Sequence, residues 1–101
     1  MKTVQLRRYT IHSGEYDAFI AWWMSEMAGL RRAAGFRIEF AYGIPETNEF
    51  VWAVSVEGSA EHFTEIESRY LASDERAAVM GAIPERVAER TVQLVTIVEG
   101  Q

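Results

Sequence analysis

The chain has 101 residues, 49% hydrophobic and 25% charged, which fits one globular domain over residues 1–101 and excludes a disordered chain. Fifteen Asp and Glu against ten Lys and Arg give a net charge of -5 and a pI near 5.0, which argues against nucleic acid or an anionic membrane as the main partner. Cysteine is absent, so there is no disulfide frame, thiolate nucleophile or Cys-based zinc site, and no apolar run approaches the roughly 18 residues of a membrane span. The opening MKTVQLRRYTI alternates and places Arg7 and Arg8 where a signal peptide needs an apolar stretch, so a cytoplasmic location is expected.

Residues 3–11 are rich in β-branched side chains and alternate loosely, which predicts a strand broken by Ser13-Gly14, with Ser13 as a helix N-cap. Tyr16, Phe19, Ile20, Trp23, Met27, Leu30 and Ala34 recur at three- and four-residue steps, so residues 15–34 read as an amphipathic helix. Gly35 follows as its C′ residue, after the cationic Arg31 and Arg32. Phe36, Ile38, Phe40, Tyr42 and Ile44 alternate with polar or small residues, which predicts a strand with one strongly apolar face. Pro45–Asn48 is a turn. Residues 49–57, with Phe50, Trp52, Val54 and Val56 on one face and Val51, Ala53 and Ser55 on the other, read as a strand covered on both sides. Ser59 caps a second helix with the stripe Ala60, Phe63, Ile66, Tyr70; residues 74–83 form a short third helix stopped by Pro84; residues 90–98 are the last strand.

The order β-α-β-β-α-β, with an extra helix before the final strand, predicts an α+β ferredoxin-like sandwich: a four-stranded antiparallel sheet with helices on one face. The other face is then bare. Tyr9 or Ile11, the Phe40 row or the Trp52 row, and Val95 must place apolar groups there, and a two-fold dimer through the sheet is the economical cover.

QLRRYTIHSGEYDAFIAWW resembles the start of NIPSNAP-type domains, with Leu6, Arg7, Tyr9 and Thr10 in the strand before a Ser-Gly turn and a Phe-containing helix. GIPETNEFVWAVSVEGSAEHF resembles their second stretch through Asn48, Glu49 and the aromatic-bearing strand, with Trp52 where many relatives carry His. YLASDERAAV resembles a third, Ala-Asp-Pro-Glu-Trp, region, but Pro and Trp are replaced at Glu75 and Arg76. The resemblance covers nearly the whole chain. It implies the dimeric α/β-barrel superfamily, whose members include cofactor-free monooxygenases, isomerases, dehydratases and haem enzymes, and fold does not choose among these.

The chemistry-bearing residues are few. His62, in the first turn of the second helix, would be held neutral by the helix terminus and could act as a base or donor; a plain polar-face histidine is the alternative. His12 reads as a solvated turn residue. Glu26, on the shoulder of the apolar stripe near Trp22 and Trp23, would have a raised pKa if enclosed by rings. No metal-ligand spacing, nucleophile elbow or phosphate loop is present, so no cofactor and no metal are expected. Arg7 and Arg8 lie in a strand that should be central, so one must enter the helix side or the barrel, paired with an acid or awaiting an anionic ligand.

Trp22, Trp23, Phe40, Tyr42, Phe50, Trp52, Phe63 and Tyr70 are many large rings for a small core. They fill a dimer interface, fill the core, or line a cavity between helices and sheet. The last reading makes Trp22, Trp23, Phe40, Trp52 and Phe63 the walls of a site for a small apolar or aromatic molecule, with His62 and Glu26 supplying polarity in a cavity above roughly 300 Å³. An oxygenase or isomerase acting on an aromatic or polyketide-like substrate, with His62 and Glu26 as catalytic groups, and a structural dimeric module with a filled core are the competing functions.

Overall fold

A computed structural model describes residues 1–100. β1 (Lys2–Ile11), β2 (Arg37–Ile44), β3 (Glu49–Glu57) and β4 (Val87–Val95) form one sheet in the order β2-β3-β1-β4, every pair antiparallel. The helices are α1 (Tyr16–Trp22), α2 (Ala28–Ala33), α3 (Ala60–Leu71) and α4 (Asp74–Gly81). α1 and α2 are one continuous rod, joined by a π-helical turn over Trp23–Met27 in which the Ala28 N–H donates to the Trp23 carbonyl. The expected ferredoxin-like α+β sandwich is therefore the observed one. Among the described residues no helix is long and apolar enough to cross a membrane.

Local chemistry explains most boundaries. Gly35 adopts φ +104°, and the Gly35 and Phe36 N–H groups donate to the carbonyls of Arg32 and Arg31, which closes the helix end. The Ser59 and Ser73 hydroxyls accept from the N–H groups of His62 and Arg76 and start α3 and α4. The first helix departs from expectation: Glu15, not Ser13, is its N-cap residue, with no side-chain cap. The last strand starts three residues early and ends at Val95, because its ladder with β1 ends at the Val4–Val95 pair. Gly43 lets the Tyr16 hydroxyl lie against β2, where any Cβ would collide with it.

β2 corrects the expected single apolar row. Ile38 pairs with Val54 and Phe40 with Ala53, so Glu39 is an extra residue, a β-bulge. The side-chain alternation slips by one there. Ile38 faces the helices, while Phe40 and Tyr42 face the opposite side of the sheet, stacked on each other with centroids 5.1 Å apart. Tyr9, Ile11, Phe50, Trp52, Val54 and Val56 all belong to the helix-side core, together with Phe19, Trp23 and Met27. Of the rows considered for the bare face, Phe40 and Val95 lie there, and Trp52, 1% exposed, does not.

Candidate functional site

A cavity of about 150 Å³ lies between the first helix and the sheet. Its floor is Tyr9 and Trp52 from the two central strands. Phe19, Trp22, Trp23 and Met27 wall it on one side, and Tyr70 and Met80 on another. The rings meet edge to face: Trp23–Trp52 centroids are 5.2 Å apart at 77°, and Tyr9–Trp52 6.2 Å at 75°. The π turn sits in this wall, as such turns commonly do at functional sites. By inserting a residue it sets the following helix back by about one position, so Arg31 rather than a neighbour falls below Trp23 on the inner face.

Arg31 is 3% exposed. Its guanidinium carbon lies 4.3 Å from the Tyr70 ring centroid, 4.8 Å from Phe36 and 5.3 Å from Trp52. Burial and the nearby Arg7 charge lower its pKa, against the pull of Tyr70, Tyr9 and Glu67, and the group stays cationic because a guanidinium starts so high. Arg7 also points to the helix side, donating to the Tyr9 hydroxyl at 2.8 Å and to Gln5 Oε1 at 2.7 Å. The Glu67 carboxylate serves both arginines, 3.5 Å from Arg7 and 3.6 Å from Arg31. Arg8 points the other way and forms a forked pair with Glu49 at 3.0 and 3.2 Å, which raises the Arg8 pKa and lowers that of Glu49.

α4, the segment that leads into β4 and β4 itself add Arg76, Ile83, Pro84, Glu85, Arg86 and Arg90 to the lining. Arg86 pairs with Glu15 and Arg90 with Glu85, each at 3.3 Å. Several donors of the lining residues are buried without a hydrogen-bond partner: the indole N–H of Trp22, Trp23 and Trp52, Arg31 Nε and Nη1, Arg76 Nε and Arg86 Nη1. Each such donor costs about 1–3 kcal/mol until something accepts from it. Among the described residues no three His, Asp or Glu side chains converge as metal ligands would.

The cavity brings together Trp22, Trp23 and Trp52 of the expected wall and leaves out Phe40 and Phe63. The bulge at Glu39 turns Phe40 to the far side of the sheet. Phe63 packs on Phe36, 5.5 Å between centroids, one ring further along the core. His62 and Glu26 are both exposed, and neither lines the cavity. Its volume is about half the roughly 300 Å³ expected, and its charged groups are five arginines and Glu85. Sequence periodicity missed Arg31 because it looked like a helix-terminal cation; only the π turn brings it inward.

No family model matches the chain, and no curated protein is similar to it. Solved structures are. An uncharacterised NIPSNAP-domain protein from Burkholderia xenovorans superposes with a TM-score of 0.82 at 17% identity, over 97% of this chain and 95% of that one. A NIPSNAP-family protein from Agrobacterium tumefaciens gives 0.84 at 9% identity, over 95% and 92%. A protein provisionally named an antibiotic biosynthesis monooxygenase, from Nitrosomonas europaea, gives 0.69 at 10% identity, over 96% and 90%. Identities this low speak to architecture: this chain has the ferredoxin-like fold of the NIPSNAP-domain proteins.

Proposed function

We propose that the protein binds a small aromatic molecule in the cavity between the first helix and the sheet. The observation that carries this reading is an unfilled space walled by three tryptophans whose indole N–H groups are buried and unpartnered. A volume of about 150 Å³ holds a benzene-sized molecule, so a single ring is the size class. Intrinsic tryptophan fluorescence reports on it directly. Titration with one-ring aromatics, neutral and charged, should give saturable quenching by at least one of them, with roughly tenfold weaker binding after Trp23→Ala. Absence of saturation with every ring would retire the reading.

The likeness to proteins named as monooxygenases supports a second reading, in which a bound phenol is oxidised by O2 to a quinone, one oxygen atom entering the ring and the other leaving as water with two hydrogens of the substrate, and the arginines stabilise the phenolate. Incubating each bound ring in air and measuring its mass separates the two: a gain of oxygen makes the protein an oxygenase, and unchanged masses leave binding. His62 and Glu26, exposed and outside the cavity, have no part in either reading.

We also propose that the chain is a homodimer through the bare sheet face. Leu6, Phe40, Tyr42 and Val95 lie on that face, with Tyr42 65% and Val95 38% exposed. An apolar patch of this kind on a sheet is covered most economically by a second copy.

A further inference from the structure

We infer that the aromatic ligand carries a carboxylate, and that Arg76 is the residue reserved for it. This rests on the ring-binding reading above. Five of the nine arginines of this acidic chain line the cavity: Arg7, Arg31, Arg76, Arg86 and Arg90. Glu85 is the one carboxylate in the same lining. The acids that answer them are three, with Glu67 shared by Arg7 and Arg31, Glu15 on Arg86 and Glu85 on Arg90. The site therefore carries more cationic than anionic groups, although the whole chain has a net charge of -5. Arg76 has no carboxylate within 4.0 Å among the described residues, its Nε is buried without an acceptor, and its guanidinium is braced 5.6 Å from the Tyr70 ring centroid. Half-buried and unanswered, it is a cation kept at the cavity without an internal partner.

Size and geometry narrow the class. A guanidinium fork matches the two coplanar oxygens of a carboxylate. The tryptophan walls suit a ring, and the volume admits one. The unpartnered donors ask for acceptors, which an aryl carboxylate supplies and a hydrocarbon does not.

Benzoate and benzamide test this, since they share a shape and differ in charge. At low salt, benzoate should bind at least tenfold more tightly than benzamide, and added salt should narrow the gap by screening. Arg76→Gln should remove most of the difference by losing at least tenfold in benzoate affinity, with a circular dichroism spectrum like the parent's showing that the fold is intact. Equal affinities of the parent for the two probes overturn the carboxylate inference and leave ring binding standing. Failure of both probes to bind the parent overturns the carboxylate inference, and ring binding falls with it only if no other one-ring aromatic gives saturable quenching. Loss of benzamide together with benzoate in Arg76→Gln overturns the specific role of Arg76.

Discussion

Glu39, the extra residue of the β2 bulge, has a carboxylate only 4% exposed. Burial pushes its pKa up, but hydrogen bonds from Lys2 at 2.8 Å and Ser55 at 2.6 Å, with the charges of Lys2 and Arg37, outweigh burial and hold it below the ordinary carboxylate value. A carboxyl depressed in the folded state contributes stability that is fully present above the unfolded pKa. That contribution disappears as pH falls through the folded value. Glu39→Gln should therefore melt below the parent at neutral pH, and the two melting curves should converge between about pH 5 and pH 2. Parallel Tm–pH profiles would remove Glu39 from the acid response. The same residue shows the limit of pattern reading. Nothing in an alternating run announces that Glu39 forms a bulge or that Lys2 and Ser55 hold its carboxylate.

At the scale of elements, two one-residue irregularities position the site. The bulge in β2 sends Phe40 and Tyr42 away from the helices, and the π turn brings Arg31 in beneath Trp23. A π turn is in effect an α-helix with a residue inserted, and its flanks keep the phase they would have without it. Deleting Ser25, an exposed residue of that turn, should restore regular helix and leave both Trp23 and Arg31 in place. The expected result is a folded protein with a Tm within about 5 °C of the parent. Deletions inside buried helices normally unfold small domains, so collapse of this variant would show that the π turn does not carry the phase correction.

At the scale of the whole molecule, the sheet has one dressed face and one bare face, and each prediction of assembly depends on knowing which residues lie on which. Phe40→Asp alters the bare face and should convert the proposed dimer to a monomer with its circular dichroism intact, read by light scattering after gel filtration. Trp52→Asp puts a charge in the helix-side core, where the cost is roughly 4 kcal/mol or more, and should unfold the chain. A parent that is monomeric at every concentration would remove the dimer.

Element order, the fold class and two helix ends were legible in the chain because they depend on local signals: strand alternation, helical stripes, Ser59 as a cap and Gly35 as a stop, whereas Ser13 does not cap the first helix. The resemblance to NIPSNAP-type domains added the architecture that solved structures share. The contents of the cavity were not legible. Arg31, Arg76 and Arg86 are separated in sequence and each looks like an ordinary surface charge, and only the packing of the helices over the sheet gathers them with Trp22, Trp23 and Trp52 around one space. The phase of Phe40 and Arg31 was hidden for a related reason. A single inserted residue turns every later side chain, and whether a strand or helix absorbs it as a bulge or a π turn is decided by the neighbours it must pack against.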